Sequence, residues 1–292
     1  MDGHVHTRSE QVRRRLEAWL QENSRKWEKA IQQSPPDFDS LEGIPHLPGN
    51  LSYGDVIRYT RKANVYEYPR PSVTVDVVVF GLDRNVLKVL LIKRGRPGTP
   101  FEGCWAIPGG FVNENEDLDV AARRELQEET HAEPTYIEQL ATFGAPGRDP
   151  RGHVISVAYM ALARCDSMSI QGDDDAQEAK WWDVSSLPAL AFDHSVIVGT
   201  ALRRLRSKIL WQPVGMDLLP PTFALQDLQT VYEVILGHPL DKRNFRRKIL
   251  SYGVLESAES VRIGFPGRRP QLFRFDRSTY DAMLEEGKAF EV

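Results

Sequence analysis

With 292 residues, 41% hydrophobic and 27% charged, the chain can bury the cores of two domains and has the balance of a soluble globular protein. No apolar run approaches the roughly 20 residues that span a bilayer. The opening residues lack the apolar core of a secretory signal, so neither a membrane-spanning nor a secreted protein is expected. The net charge of −4 is uneven: between Thr222 and Arg277 ten Lys or Arg stand against six Asp or Glu, a bias that suits a polyanionic partner. The two cysteines, Cys104 and Cys165, lie far apart in apolar company and read as reduced thiols of a cytoplasmic protein.

Periodic apolar residues Val12, Leu16, Trp19, Leu20, Trp27 and Ile31 predict an amphipathic helix from Arg8 to Gln33, closed by Ser34-Pro35-Pro36. With the Pro- and Gly-dotted stretch after it, this helix forms an N-terminal extension, residues 1–63. It packs on its own domain, pairs with a second copy or trails as a tail; the sequence does not choose. The runs SVTVDVVVF (72–80) and VLKVLLI (86–92) are predicted strands, joined by a hairpin turn within Gly81–Asn85. Gly103–Phe111 is predicted as a short strand ending in a glycine pair, and Asp117–Glu129 as a helix. Tyr136–Phe143, His153–Ala163 and Glu178–Val184 are predicted as further strands. Residues 64–192 therefore read as an α/β sandwich, a mixed sheet with helices. A connecting segment, 193–218, carries a helix from about His194 to Leu210 with basic residues in its last turns, where they suit the helix dipole.

Within Asp117–Glu129, Glu125, Glu128 and Glu129 stand at i, i+3 and i+4, on one side of a helix. Like charges crowded in this way repel one another unless a cation sits among them, and an all-oxygen set suits Mg²⁺ or Mn²⁺. Such an ion would offset the charge of a diphosphate and lower the pKa of an attacking water. Gly109-Gly110, just before, allows backbone to approach a ligand closely. A solvated acidic helix face has the same composition, and it is the combination with the glycines, Glu116 and Arg124 that argues against it.

The segment from Gly110 to Ala132 resembles the Nudix hydrolase signature, matching it at Gly110, Glu116, Arg124, Glu125, Leu126, Glu128, Glu129 and Ala132. The resemblance implies a catalytic set of Glu116, Arg124, Glu125, Glu128 and Glu129, in which the last three hold the metal and Arg124 braces the loop by pairing with Glu116. His131 departs from the signature, where the family has Gly at the end of the catalytic helix. A positive φ is expected there, and a Cβ in that conformation costs about 1 kcal/mol. The flanking runs LLIKRGRPGTPFEGCWAIPGGF and FGAPGRDPRGHVISVAYMAL resemble the branch of the family that handles ADP-ribose. By that resemblance Gly109, Gly110, Arg94, Arg148 and Arg151 are ligand contacts, although each arginine reads equally well as a surface residue. Glu178 is a candidate base outside the box. Trp105, Trp181 and Trp182 read as packing residues.

From Thr222, read as a helix cap, an apolar face of Phe223, Leu225, Leu228, Val231, Tyr232, Ile235 and Leu236 runs to the stop at Gly237-His238-Pro239. A second helix follows, capped by Asp241 and ended by Gly253. It sets Lys242, Arg243, Arg246, Arg247 and Lys248 around apolar anchors that include Phe245 and Ile249. Two further strands, Val261–Gly264 and Gln271–Phe275, flank a tip bearing Arg268 and Arg269. Helix, turn, basic helix and ribbon over residues 219–292 outline a winged helix-turn-helix domain, with Asn244 placed to read a base edge. A basic surface helix in a dimerisation module is the competing reading.

A Nudix sandwich followed by TFALQDLQTVYEVILGHPLDKRNFRRKIL and PGRRPQLFRFD resembles the Nudix-related transcriptional regulators of NAD metabolism, over about residues 64–292. That resemblance implies a cytoplasmic homodimer that binds double-stranded operator DNA, as a repressor, and senses ADP-ribose or a related nucleotide diphosphate in its Nudix domain. The intact carboxylates keep a second expectation open. In it the chain is a Mg²⁺-dependent ADP-ribose pyrophosphatase whose C-terminal domain serves assembly.

Overall fold

The computed structural model of the chain describes residues 18–19, 70–95, 97–165, 176–258 and 271–292. Apart from Ala18 and Trp19, which are helical, the expected N-terminal helix lies outside these residues, as do the expected strand Val261–Gly264 and Arg268 and Arg269.

Seven strands form one sheet: β1 (Ser72–Asp83), β2 (Val86–Arg94), β3 (Trp105–Ala106), β4 (Gly109–Phe111), β5 (Tyr136–Phe143), β6 (Val154–Leu162) and β7 (Ala176–Asp183). β1 lies at the centre, parallel to β6 and antiparallel to β2 and β4. Its β-branched residues are buried on both faces. Val75, Val77 and Val79 point to the layer of helix α1 (Leu118–Thr130), while Val78 and Phe80 face helix α2 (His194–Lys208). This is the period-2 alternation of a strand covered on both sides. The hairpin turn is only Arg84-Asn85, with φ of 46° and 63°. Two left-handed residues suit the twist of adjoining strands, so Gly81, Leu82 and Asp83 stay in β1, paired to Lys88, Leu87 and Val86.

The single strand expected over Gly103–Phe111 is two. β3 pairs with β2, and β4 pairs with β1. Pro108 stands between them and has no N–H to continue a ladder; its carbonyl accepts from the Val77 amide at 2.8 Å. The break aims Gly109 and Gly110 at the N-terminal half of β1.

After the 3₁₀ turn Val214–Leu218 come β8 (Phe223–Ala224), α3 (Leu225–Leu236), α4 (Lys242–Ser251), β9 (Leu255–Ala258), β10 (Leu272–Phe275) and α5 (Arg277–Glu285). The three short strands form a second sheet in the order β8-β10-β9. Thr222 does not cap α3 as expected, because Phe223 and Ala224 pair with β10 and the helix starts two residues later. The Asp227 carboxylate instead accepts from the Ala224 amide at 3.0 Å. Asp241 does cap α4, accepting from the Asn244 amide at 2.8 Å. The strand beside β10 is β9, which follows directly from Gly253.

One apolar cluster runs from the large sheet through Ile197, Val198, Ala201 and Leu205 of α2 into Leu228, Val231, Tyr232 and Ile235 of α3. Each buried Val, Leu or Ile among these contributes about 1.5–3 kcal/mol, so Pro71–Val292 holds together as one unit. Asp217 lies at the junction. Its carbonyl accepts from the Thr135 hydroxyl at 2.9 Å, and its carboxylate stands 3.8 Å from Arg277. Burial pushes its pKa up to about 6, against the pull of Arg277. A folded value above the ordinary one means the fold prefers the protonated acid, a preference lost as pH rises through about 6. Asp217→Asn is therefore expected to gain roughly 2 kcal/mol more over wild type at pH 7.5 than at pH 4. Urea unfolding at the two pH values checks this, and an equal gain at both would refute burial of charge as the cause.

Candidate functional site

Helix α1 starts at Asp117, whose carboxylate accepts from the Asp119 amide at 2.9 Å. Just before it, Glu116 receives two bonds from Arg124, 2.6 Å from Nε and 2.8 Å from Nη2, and one from the Asn113 amide at 2.9 Å. Arg124 thus holds the Glu116 carboxyl down at a pKa of about 2. The same guanidinium bonds Glu125 at 2.7 Å, Glu128 at 3.0 Å and the Phe111 carbonyl at 3.2 Å. One cation therefore ties the loop, β4 and two of the three helix carboxylates together.

Glu129 turns the other way. It is 9% exposed, and its carboxylate accepts from the Gly109 amide at 2.8 Å. Burial raises its pKa to about 8, helped by the nearby charges of Glu125 and Asp76. Burial also raises Glu125. A Cβ on Gly110 would stand 2.5 Å from the Glu125 carboxyl atoms, so the glycine leaves the room that Glu125 occupies. Among the described residues no three His, Cys, Asp or Glu converge as a cation cage. Arg124 accounts for this, since it holds Glu125 and Glu128 in the role a cation would take. The donor set nevertheless fits a hard divalent ion: the ligands are all carboxylate oxygens, and burial makes the charge of two of them costly without a cation.

His131 closes α1 in the left-handed conformation, φ 53° and ψ 24°, and its amide donates to the Gln127 carbonyl. The helix ends there as it would with glycine, at a conformational cost of about 1 kcal/mol.

Beyond the glycines opens a narrow cleft of about 40 Å³ lined by Arg94, Arg148 and Arg151 along with Gly109 and Gly110. Asp76, Asp149 and His194 line it too. The side chain of Arg148 is 4% exposed and bonds both oxygens of Asp193, at 3.0 and 2.6 Å. Arg151 pairs with Asp149 at 2.6 Å and lies 4.8 Å over the ring of Phe111. Arg94 donates to the Pro100 carbonyl at 3.2 Å and lies 5.0 Å over Phe192. His194 accepts from the Ile107 amide at 3.1 Å, and burial lowers its pKa. The three arginines are thus brought together in one cleft, but each already has a local partner. Glu178 is not among the cleft residues. It is exposed on β7, its backbone beside Lys93. Trp105 and Trp182 pack edge to face at 5.2 Å, away from the cleft.

Sequence reasoning missed Asp76, Asp193 and His194. Asp76 had a visible signal, since it is the one charged residue in SVTVDVVVF. It is 7% exposed and bonds Ser156.

On the C-terminal domain, α4 buries Phe245 and Ile249 and exposes Lys242, Arg243, Asn244, Arg246 and Arg247. Lys248 is partly buried, 3.9 Å from Glu291, and Arg247 bonds the Asn244 side-chain oxygen at 3.0 Å. The helix is held by one face and presents a basic one.

Residues 70–204 match the NUDIX domain family, and residues 215–275 match the NrtR DNA-binding winged helix domain. The ADPR responsive transcriptional repressor NtrR of Acinetobacter baylyi is 38% identical over 220 residues, covering 74% of this chain and 86% of the relative. The crystal structure of Shewanella oneidensis NrtR complexed with a 27mer DNA superposes with a TM-score of 0.63 at 35% identity, covering 72% of this chain and 95% of that one. The ADP-ribose pyrophosphatase of Methanocaldococcus jannaschii is 41% identical over 136 residues, 47% of this chain and 76% of the relative. The chain belongs to the NrtR family, with a NUDIX domain followed by an NrtR DNA-binding winged helix domain.

Proposed function

We propose that the chain is a transcriptional repressor whose α4 binds operator DNA and whose NUDIX cleft senses ADP-ribose, which releases the DNA. The observation that carries this reading is one continuous core joining a cleft lined by three arginines to an exposed basic helix. In the cleft, Arg94, Arg148 and Arg151 would meet a diphosphate, and the Gly109 and Gly110 backbone lets it approach. On DNA, Lys242, Arg243, Arg246 and Arg247 would contact phosphates, with Arg268 and Arg269 as further contacts and Asn244 facing base edges. The protein works as a cytoplasmic homodimer, since a winged helix reading two half-sites needs two copies. No helix among the described residues is long and apolar enough to cross a membrane. A gel-shift assay on the chain's own upstream DNA tests the reading. A retarded band at moderate salt that ADP-ribose removes is the expected result, and no shift would refute it.

A second reading, ADP-ribose pyrophosphatase activity, is favoured by the four carboxylates gathered around Arg124 and Gly109. Glu125, Glu128 and Glu129 would hold Mg²⁺ or Mn²⁺, which when bound offsets diphosphate charge and makes a water more acidic. Glu116 fixes Arg124, and Arg124 sets where Glu125 and Glu128 stand. AMP release with Mg²⁺ should be present in wild type and lost in Glu129→Gln; no turnover in either would remove this reading.

A further inference from the structure

We propose that α2 is the coupling element between cleft and DNA-binding helix: the ligand takes Arg148 from Asp193, and Arg206 passes the resulting shift to α3. The inference rests on the ADP-ribose sensing reading.

The cleft end of α2 shows an unusual arrangement. Asp193 stands at the N-cap position, where an Asp ordinarily accepts from the first free amides of its helix. Here it makes no side-chain cap bond. Both its oxygens are taken by Arg148, which also lies 3.8 Å from Asp76. Arg148 lines the cleft, so the same guanidinium is within reach of an anion there. A diphosphate competes with Asp193 for a bidentate donor. Once released, Asp193 is free to cap the first turn of α2, and the helix start is reset by that exchange of partners.

α2 is one continuous helix from the cleft to the C-terminal domain. Its 15 residues span about 22 Å. Ile197, Val198, Ala201 and Leu205 lock one face into the shared core. At the far end Arg206 donates to the Ile235 carbonyl at 2.9 Å. That carbonyl belongs to the last turn of α3, where helix carbonyls lack intrahelical partners, and Gly237 then begins the turn into α4. The other end of α4 is linked to the turn that follows α2. The Val292 amide donates to the Leu210 carbonyl at 2.9 Å, and the Tyr252 hydroxyl donates to the Glu291 carbonyl at 2.9 Å and accepts from its amide at 3.0 Å. α4 is thus linked to the end of α2 indirectly on both sides, through α3 and through the C-terminal residues, so a displacement of α2 changes how α4 is presented.

The test uses the full chain, a fluorescent duplex from its upstream region and an ADP-ribose analogue with a methylene-bridged, uncleavable diphosphate. In wild type the analogue should weaken DNA binding about tenfold or more, within the usual range of allosteric coupling. Arg206→Gln should bind DNA alone, and the analogue alone by calorimetry, within about twofold of wild type, while release falls below about threefold. Arg206→Lys, which still reaches the carbonyl, should restore release. Full release in Arg206→Gln overturns the coupling role of Arg206, whereas no release in wild type overturns the sensor reading itself. Should Arg206→Gln fold poorly, hydrogen exchange in wild type decides. The analogue should alter protection at amides 205–210 and 235–238, and unchanged protection there with DNA still released overturns the proposal.

Discussion

Replacing Arg246 and Arg247 together by alanine is expected to weaken operator binding about 100-fold at fixed salt, with the fold intact. α4 is anchored by Phe245 and Ile249, 5% and 0% exposed, on the side opposite these arginines, so truncation leaves the packing alone. A charge-assisted contact contributes about 1.5 kcal/mol or more, and two such losses correspond to about two decades of affinity. Loss of two phosphate contacts also lowers the slope of log affinity against log salt by about 2. Arg247→Ala additionally frees the Asn244 side-chain oxygen, which the arginine now bonds at 3.0 Å, so base preference at its position should change as well. Anisotropy titrations at several salt concentrations give both quantities, with thermal unfolding as the control on folding. Unchanged affinity and slope would mean that DNA is met by another face.

The parts of this molecule that were legible in its sequence are those set by local pattern. β1 and β2 follow from apolar runs on either side of turn residues within Gly81–Asn85, α1 from its spacing of carboxylates, and α4 from Asp241 and Gly253. Elements set by a distant partner were not legible. β8 is two residues long and is a strand only because β10 lies beside it; read locally, Thr222 looks like a cap. α5 went unread, although Asp276 caps it by accepting from the Thr279 amide at 3.1 Å. In the site, the three glutamates were visible as a motif, but the sequence could not show that Arg124 bonds Glu116, Glu125 and Glu128 at once. Asp193 and His194 escaped for the same reason. Their partners, Arg148 and the Ile107 amide, lie 45 and 87 residues away, and only the packing of α2 on the sheet brings them into reach.

The glycine pair separates fold from site. Gly109 has φ 155°, and a Cβ there would stand 2.2 Å from the Val75 carbonyl oxygen and 2.8 Å from the Asp76 Cα. Both atoms belong to the backbone of β1, which is held by β6 along nine paired residues and cannot step aside. Gly109→Ala is expected to lower stability by about 3 kcal/mol, combining a clash with strained backbone. Gly110→Ala meets instead the Glu125 carboxyl, at 2.5 Å, the far end of a flexible side chain. Glu125 can swing away and lose its 2.7 Å bond to Arg124, so stability should change by less than about 1 kcal/mol. The consequence falls on the proposed cation site, which loses one of its ligands and should bind Mn²⁺ at least about tenfold more weakly. Urea midpoints and Mn²⁺ titration distinguish the two variants. If Gly110→Ala binds Mn²⁺ as wild type does, Glu125 is not a ligand, and the glycine serves only the loop that Glu116 and Arg124 brace.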